Sequence, residues 1–387
     1  SNYLIKIFMP HKSRLTVLFC PLHWGLGHIT RDMPLIRWFH NKGHRVVVAG
    51  SPEIQSWLSS EIPEIETTEF NNPGIRYSHG KTLFPKLLLQ IPKLLLALAR
   101  EKGKINQLVE KYHPDIIMSD NRYGARHPHI FSVIITHQLM LKLPPFFKWA
   151  EPITHKLIKT LIKPFDEVWI PDFSSESSLA GDLVHKFPLP RQARLIGPLS
   201  RFPFSSERSP SPKPKERKGI LAIISGPEPQ RSILEKKLIG LAPTLQNNLT
   251  LLRGTPDNGQ EEKHYHPNPI IYSHLPSKAL QEIIHASEII IARSGYSTIM
   301  DMYYLQRSMW MVPTPGQTEQ IYLAGYHQQK DHQQVDQENI CSMLSQVPIS
   351  QENNAMPAKP PIFPAILEQF IQEKFPLSKQ KRRLSQE

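Results

Sequence analysis

Residues 15–39 read LTVLFCPLHWGLGHITRDMPLIRWF, and this stretch indicates the fold class of the 387-residue chain. An apolar, β-rich run at residues 15–20 leads into a turn with two glycines, and an amphipathic helical pattern begins near Thr30. Glycines at such a turn let a ligand approach the backbone, and a helix N-terminus offers free N–H groups to an anion. The stretch therefore predicts the first strand–helix unit of an α/β domain, with a ligand-binding turn between strand and helix.

The same alternation of apolar runs and helical patterns continues through most of the chain, with one interruption. Residues 200–218 read SRFPFSSERSPSPKPKERK, where Pro, Ser and charge replace large apolar residues, a composition typical of a linker or surface loop. The pattern predicts an α/β protein with two Rossmann-like domains facing across a cleft. We place the first domain at 1–199, the linker or loop at 200–218, the second domain at 219–345, and a tail at 346–387 whose helix packs back on the first domain.

The chain is basic, with 46 Lys and Arg against 34 Asp and Glu and a formal net charge of +12. An excess of this size suits nucleic acid, an anionic membrane surface or a phosphate-bearing small molecule. Nucleic acid ranks last, because the basic residues are not interleaved with aromatic ones and no known binding module is recognisable. Two cysteines far apart in the sequence predict free thiols and a cytoplasmic location.

No run in the sequence reaches the roughly 18 apolar residues that a membrane-spanning helix needs. The nearest candidate is residues 83–99, which contain Lys86, Lys93 and Pro92. With the cations up to Lys104, this stretch fits two interpretations: a core-packed helix with a basic edge, or a face that contacts anionic headgroups. The second interpretation predicts peripheral association with the inner face of the cytoplasmic membrane.

The first glycine turn contains a candidate catalytic base. The spacing G-x-G-H places His28 at the helix entrance and Thr30 where a dinucleotide fingerprint would have its third glycine, so that fingerprint fails. A histidine can accept a proton from an incoming hydroxyl because its pKa lies near neutrality. His28 is therefore the first candidate base, with helix capping as the alternative. Asp120, which follows the apolar run 116–119, is a second candidate base or else a loop-capping residue.

Two later segments carry residue types that bind phosphates and sugars. Residues 291–301 read IARSGYSTIMD, again a strand, a turn and a helix start. Their N–H groups and hydroxyls fit a phosphate and Asp301 fits a ribose diol, while a capped helix with a solvated Asp301 is the alternative. Residues 313–320 read PTPGQTEQ, a proline-framed loop whose Gln and Glu side chains suit sugar hydroxyls, or a simple turn before a polar helix start.

The sequence predicts no metal and no resident cofactor. It contains no Asp-x-Asp, the usual carboxylate pair for a metal-bridged nucleotide sugar. His264 and His266 have the spacing of metal ligands, but their neighbours are lysine and proline, which predicts a surface loop.

Residues 293–301 (RSGYSTIMD) and 312–320 (VPTPGQTEQ) together resemble the GT-B glycosyltransferases, most closely the family 28 branch that contains the peptidoglycan N-acetylglucosaminyltransferase MurG. The likeness is weak in the first domain and good from about residue 219 to residue 325. It implies that the second domain binds a nucleotide-sugar donor, UDP-linked with UDP-GlcNAc as the first candidate, and that the first domain binds the acceptor. It further implies an inverting, metal-independent transfer to a hydroxyl of a lipid-linked or cell-envelope glycan.

The resemblance also assigns site residues. It puts Asp301 on the ribose, Glu319 and Gln320 on the donor sugar, and Arg201 near the donor. The predicted acceptor-binding residues are Gly25, Gly27, Thr30, Arg31, His137 and Gln138. The predicted donor-binding residues are Arg201, Ser225, Gly226, Arg231, Leu275, Arg293, Ser294, Gly295, Ser297, Thr298, Asp301, Gln317, Thr318, Glu319 and Gln320.

The chain departs from the family pattern at two points. The family's phosphate loop is glycine-rich, whereas residues 225–231 read SGPEPQR, so we expect Ser225, Gly226 and Arg231 to contact the diphosphate. Position 138 is Gln where the family has an acidic residue. The GxGHxxR loop at 25–31 also resembles that of PseG-like nucleotide-sugar hydrolases, which use water as acceptor. A nucleotide-sugar-binding protein without catalysis is the third alternative.

Overall fold

The structure is a computed structural model that describes residues 14–22, 26–71, 91–204, 217–226, 228–245, 248–254, 262–264, 268–328, 330, 332–346 and 358–376. Its strands form two seven-stranded sheets, one from residues 16–195 and the other from residues 220–334. The chain therefore has two α/β domains built on parallel sheets, as the alternation of apolar runs and helical patterns predicted.

The first sheet is parallel throughout. Its strands are β1 (Thr16–Pro21), β2 (Arg45–Gly50), β3 (Glu66–Glu69), β4 (Ile116–Asp120), β5 (Phe131–Ile135), β6 (Glu167–Ile170) and β7 (Ala193–Leu195). They lie in the order β3-β2-β1-β4-β5-β6-β7. The central strand β1 fixes the register, because Val17 pairs with Val46 of β2 on one side and with Ile116 of β4 on the other.

The second sheet repeats this arrangement with one antiparallel edge. Its strands are β8 (Ile220–Ile223), β9 (Leu249–Leu252), β10 (Glu262–His264), β11 (Ile270–Tyr272), β12 (Ile289–Ala292), β13 (Trp310–Met311) and β14 (Gln333–Gln334). Their order is β10-β11-β9-β8-β12-β13-β14, and only β10 is antiparallel to its neighbour among the described strands.

Helices connect the strands. They are α1 (Gly27–Asn41), α2 (Pro52–Glu61), α3 (Ile91–Tyr112), α4 (Glu151–Ile162), α5 (Asp182–His185), α6 (Gln230–Leu241), α7 (Ser277–Ala286), α8 (Tyr296–Leu305), α9 (Thr318–Gln328), α10 (Ile340–Gln346) and α11 (Phe363–Lys374). A 3₁₀ helix, Pro145–Ala150, leads directly into α4. Among the described residues, no helix is both long enough and apolar enough to cross a lipid bilayer.

Both sheets reverse their winding direction at a central strand. The reversal lies between β1 and β4 in the first sheet and between β8 and β12 in the second. Ligands of open parallel sheets bind outside the carboxyl ends of the strands at such a point. The fold therefore puts the residues that follow β1, β4, β8 and β12 at the expected binding site.

The core has layers on both faces of each sheet. In β1, Val17 and Phe19 belong to one apolar cluster, and Leu18 and Cys20 belong to another on the opposite face. Successive strand residues point to opposite faces of the sheet, and helices cover both faces. The residues of β1 are therefore buried on either face, which explains its nearly unbroken apolar sequence. Burial raises the pKa of the Cys20 thiol to about 12. Both cysteines are free thiols, as predicted.

The segment predicted at residues 83–104 lies partly outside the described residues. The described part of α3 packs on the first sheet through Ile105, Leu108 and Tyr112, which are buried. This contact fits the core-packed interpretation for the second half of α3. Membrane contact by the first half stays a prediction.

The C-terminal helix α11 packs against the first domain. The ring of Phe370 is fully buried, and its centroid lies 5.5 Å from that of Phe131 on β5 and 5.0 Å from that of Trp169 on β6. The chain therefore returns to the first sheet after completing the second.

Phe370→Ala is expected to lower the free energy of unfolding by about 3–5 kcal/mol, because it removes a buried ring from an aromatic cluster. Urea unfolding followed by far-UV circular dichroism measures the change. Gln369→Ala, an exposed neighbour on the same helix, is the control and should cost less than about 0.5 kcal/mol. Equal effects of the two variants would contradict the contribution of α11 to the core of the first domain.

Candidate functional site

The N-termini of α1 and α8 meet where the two switch points face each other. Oγ of Ser297 on α8 donates a hydrogen bond to the backbone carbonyl of Gly27 on α1, at 2.7 Å. Neither helix has a side chain that caps its N-terminus, and the residues before the helices are Leu26 and Gly295. Two uncapped helix N-termini present free N–H groups and partial positive charge to the same region.

His28, Arg31 and Asp120 form a cluster at the first switch point, in which Arg31 and Asp120 are buried and His28 is partly exposed. Nδ1 of His28 lies 3.1 Å from Oδ2 of Asp120. Nε of Arg31 donates to the same oxygen at 2.8 Å, and Nη2 donates to Oδ1. Burial alone would raise the pKa of Asp120, but the charges of Arg31 and His28 lower it to about 2. Asp120 is thus ionised and is placed to orient His28, while its role as a second base stays a prediction.

His137 connects this cluster to the second domain. Nη1 of Arg31 donates to Nδ1 of His137 at 2.8 Å. A guanidinium can only donate, so the ring proton of His137 sits on Nε2, which lies 2.9 Å from Oε1 of Glu319 and donates to it. Burial lowers the pKa of His137 despite the bond to Glu319, so the ring is neutral. The imidazole also stacks on Tyr296, with ring centroids 4.3 Å apart.

Glu319 brings predicted acceptor and donor residues together. Its second oxygen accepts a hydrogen bond from the side-chain amide of Gln138, and Oγ1 of Thr318 donates to the carbonyl of Lys142 at 2.6 Å. Burial would raise the pKa of Glu319, but the hydrogen bond from His137 lowers it, so the carboxylate is ionised. The start of α9 is therefore fastened to the loop after β5.

Asp32 is a buried carboxyl beside Asp120. Its side chain is fully buried, and neither oxygen accepts a hydrogen bond from a described group. Burial and then the charge of Asp120 raise the pKa of Asp32 well above its ordinary value. A protonated Asp32 can donate a hydrogen bond to Asp120, which explains how two carboxyls share a site whose buried cation is Arg31.

The carboxyl edge of the second sheet carries polar atoms without partners. Oγ1 of Thr314, Oε1 of Gln317 and Nε2 of His274 are buried and make no hydrogen bond within the described part of the protein. Ser225 and Gly226 are exposed at the end of β8. Buried polar groups are nearly always hydrogen-bonded, so this arrangement fits a polar ligand at the edge.

Three predicted donor residues instead hold the second domain together. Arg293 is buried and donates to the carbonyls of Val312, Pro313 and Gln230 and to the side chain of Gln337. Burial lowers its pKa to about 10. Nη1 and Nη2 of Arg293 are thus used by neighbouring loops, and Nε has no partner among the described residues, so the donor contact predicted for Arg293 stays a prediction.

Ser294 and Gln320 depart from the predicted ligand contacts for the same reason. Oγ of Ser294 donates to the backbone carbonyl of Gln320 at 2.8 Å, and Oε1 of Gln320 accepts from the backbone N–H of Thr314 at 2.8 Å. Both side chains are buried. They shape the loop before α9, and the sugar contact predicted for the Gln320 side chain would break a bond that the loop uses.

Asp301 and Arg201 form a pair at the domain boundary. Oδ1 of Asp301 accepts from Oγ of Ser200 at 2.6 Å, and Oδ2 lies 3.3 Å from Nε of Arg201. Burial raises the pKa of Asp301, although the charge of Arg201 opposes the shift. The sequence placed both residues near the donor, and the structure brings them together. A ribose would have to displace Ser200 to reach Asp301.

The remaining predicted residues have local partners or lie outside the described residues. Arg231 is paired with Glu228, with 3.0 Å between nitrogen and oxygen. Oγ1 of Thr30 donates to the carbonyl of Gly27 at 3.1 Å, and Leu275 is a buried member of the core. Gly25 is outside the described residues.

Sequence reasoning missed the roles of Tyr296 and His274. Tyr296 stacks on His137, and its hydroxyl donates to the carbonyl of Pro171 at 2.8 Å. Its position beside the second glycine turn was the available signal. No comparable signal marked His274, which follows β11 without a glycine. Among the described residues, no three His, Cys, Asp or Glu side chains form a group that could hold a metal ion.

Comparisons with known proteins find glycosyltransferases. Residues 230–352 match the glycosyltransferase family 28 C-terminal domain. A protein of Methanosarcina acetivorans described as an uncharacterized glycosyltransferase is 24% identical over 316 residues, which cover 76% of this chain and 79% of the relative.

Solved structures with the same fold are also glycosyltransferases. Arabidopsis thaliana UGT89C1 complexed with UDP-L-rhamnose superposes with a TM-score of 0.57 at 11% identity, covering 95% of this chain and 96% of the other. The spinosyn rhamnosyltransferase SpnG complexed with thymidine diphosphate gives a TM-score of 0.56 at 14% identity, covering 92% of this chain and 100% of the other. The chain has the GT-B fold.

Asp32→Asn is expected to gain stability relative to the wild type as the pH rises from about 4 to about 7. Folding of the wild type must take up a proton at Asp32, which costs more as the pH rises above the unfolded pKa, whereas Asn stays neutral. The difference in free energy of unfolding should grow by at most about 1.4 kcal/mol per pH unit. Urea unfolding at several pH values measures it.

The control is Asp336→Asn, which changes an exposed carboxylate of the second domain. It shows how replacing an exposed carboxylate changes the free energy of unfolding over the same pH range. A pH-independent difference for Asp32→Asn would show that Asp32 is ionised in the folded protein.

Proposed function

We propose that this glycosyltransferase, whose second domain is of the family 28 type, transfers a sugar from a nucleoside diphosphate donor to an acceptor hydroxyl with His28 as the base. The observation that carries the proposal is the 3.1 Å contact between Nδ1 of His28 and the ionised Asp120, beside the uncapped N-terminus of α8. A base and an anion-binding turn then flank the same cleft.

Asp120 sets the tautomer of His28 in this proposal. Donation from Nδ1 to an ionised carboxylate is a charge-assisted hydrogen bond, which is stronger than a neutral one. In the competing arrangement, Nη2 of Arg31 donates to Nδ1 at 3.1 Å. Nδ1 would then carry no proton, and its hydrogen bond to Asp120 would be lost. With the proton on Nδ1, Nε2 carries a lone pair, and it makes no hydrogen bond to a described residue. Nε2 is the proton acceptor.

The proposed reaction is a single displacement. The acceptor oxygen forms a bond to the anomeric carbon as its proton moves to Nε2 of His28, and the bond from that carbon to the diphosphate breaks. The diphosphate leaves with the electron pair, and inversion follows from attack on the opposite face. Groups on the second domain stabilise the negative charge of the leaving diphosphate. They are the N–H groups at Gly295 and Ser297, the hydroxyl of Thr298, and Ser225 with Gly226 at the end of β8.

The donor class follows from the second domain and its relatives. UGT89C1 and SpnG were solved with UDP-L-rhamnose and thymidine diphosphate, so a nucleoside diphosphate is the shared element. We propose a UDP-linked donor, with UDP-GlcNAc as the first to test, and an acceptor hydroxyl on a lipid-linked or cell-envelope glycan. In this proposal, Asp301 gives up its hydrogen bond from Ser200 and accepts hydrogen bonds from the ribose diol. Glu319 likewise gives up its hydrogen bond from His137 and binds the donor sugar.

His28→Ala is expected to lower kcat by about 10²–10⁴-fold, the usual contribution of a general base, while donor binding is retained. Nucleoside diphosphate release is measured with UDP-, TDP- and GDP-sugars against lipid-linked and water-soluble acceptors. Donor binding is measured by thermal shift. His129→Ala, which removes an exposed histidine of the same domain, is the matched control and should keep wild-type kcat.

Three results would contradict the proposal. Wild-type turnover by His28→Ala would remove the base assignment. Release at the full rate without any acceptor would support a nucleotide-sugar hydrolase instead, because water would then be the natural acceptor. Donor binding without turnover under any condition would support a binding protein without catalysis.

Full activity is expected after exhaustive treatment with EDTA and dialysis. Helix N-termini and hydroxyls stabilise the diphosphate in the proposed reaction, so turnover needs no divalent cation. The release assay with EDTA and with added Mg²⁺ or Mn²⁺ makes the comparison. Loss of turnover that returns on adding one of these cations would contradict the proposed stabilisation of the leaving group.

A further inference from the structure

A stripe of large apolar side chains is exposed on the surface of the first domain. It runs along the 3₁₀ helix Pro145–Ala150 and continues on α4. The exposed fractions are 82% for Phe146, 66% for Trp149, 55% for Ile153 and 41% for Leu157. Soluble proteins expose single apolar side chains routinely, whereas a contiguous row of large ones marks an interaction surface. We call these four residues the apolar stripe.

Helical spacing explains why the stripe is continuous and why it faces outward. Ile153 and Leu157 are four residues apart and therefore share a helix face. The opposite face of α4 is buried through Glu151, Thr154 and Ile158. The core of the first domain uses only the inner face of α4. Packing within the domain therefore does not explain the apolar side chains on the outer face.

Lysines lie beside the stripe without opposing charges. Lys148, Lys156, Lys159 and Lys163 are exposed, and none pairs with a carboxylate among the described residues. The one acidic residue from 145 to 163 is Glu151, which is buried and bonded to Lys186. The outer surface of this segment is therefore apolar and purely cationic.

An apolar pocket adjoins the end of the stripe. It has a volume of about 230 Å³ and lies between α3 and α4. Leu161, one helical turn beyond Leu157, lines it with Leu98, and Lys102 and Arg126 also contribute to its wall. Apolar surface and cations thus continue together from the stripe onto α3.

We propose that the apolar stripe and its lysines dock this domain onto an anionic lipid bilayer. Aromatic and aliphatic side chains on one helix face with lysines beside them are the pattern of helices that lie in the membrane interface. A protein partner would need acidic groups against the lysines, whereas an anionic bilayer supplies both the charge and the apolar layer. The proposed docking surface centres on α4 and the 3₁₀ helix before it. Membrane contact by the 83–104 stretch that the sequence suggested stays a separate prediction.

Such docking would place the cleft close to the bilayer. Phe146 follows Lys142 by four residues, and the carbonyl of Lys142 accepts the hydrogen bond from Thr318 that fastens α9 across the cleft. A lipid-linked acceptor could reach the cleft without leaving the membrane. This consequence rests on the proposed function, whereas the docking itself does not.

Vesicle co-sedimentation tests the docking. The protein is expected to bind phosphatidylcholine vesicles that contain phosphatidylglycerol, more weakly at high salt, and to bind pure phosphatidylcholine vesicles poorly. The double variant Ile153→Gln/Leu157→Gln should reduce binding by at least about tenfold, because it removes two inserted side chains. Ile233→Gln, an exposed isoleucine on the second domain, is the matched control and should bind like the wild type.

A charge variant and a fluorescence measurement distinguish the components. Lys156→Gln/Lys159→Gln/Lys163→Gln should also reduce binding by at least about tenfold at low salt, since each lysine near an anionic surface contributes about fivefold. Brominated lipids should quench the protein's fluorescence less in Trp149→Phe than in the wild type. All variants change exposed side chains, and circular dichroism checks their folding.

Three outcomes would overturn the proposal. The wild type does not bind anionic vesicles, or the double variant binds them as well as the wild type does. In the third, size-exclusion chromatography shows a wild-type dimer that the double variant no longer forms, while its vesicle binding is unchanged. The last would assign the stripe to self-association. Because vesicle binding requires no sugar transfer, it can succeed or fail independently of the glycosyltransferase activity.

Discussion

The site depends on the buried guanidinium of Arg31. A buried cation must be paired, and Arg31 donates to both oxygens of Asp120 and to Nδ1 of His137. These bonds keep Asp120 ionised, fix the tautomer of His137 and leave His28 facing an anion. Removal of one partner of such a pair typically costs about 3–5 kcal/mol, so the geometry of the base and the stability of the first domain are not separable here.

The same interactions extend into the second domain. The tautomer of His137 gives it a donor at Nε2, and Glu319 accepts that hydrogen bond from the start of α9. Ser297 reaches the carbonyl of Gly27 in the same region. Both switch points are therefore tied together by polar bonds rather than by apolar contact alone. Polar bonds can be exchanged for those of a ligand, which suits a cleft that must admit a nucleotide sugar.

The sequence was informative where local pattern determines structure. Strands and glycine turns followed from apolar runs and spacing, and the residues after β1 and β12 do lie together. The roles of Arg293 and Gln320 could not be predicted, because they depend on carbonyls and N–H groups of loops that are distant in the sequence. The sequence places Asp32 next to Arg31, but it does not predict that the carboxyl is protonated. Protonation depends on burial and on Asp120, which lies 88 positions further along the chain.

The structure shows which of the cations behind the net charge of +12 face the solvent without a partner. Arg122, Arg293 and Arg307 are buried and contribute little to the field outside. Most of their donors are used by backbone carbonyls, Glu101 and Gln337. Surface lysines with nearby carboxylates, such as Lys42 with Glu368, are locally neutralised. The lysines of α4 have neither kind of partner among the described residues. A uniform basic surface would attract any polyanion, whereas cations beside an exposed apolar row favour a surface that is both anionic and apolar.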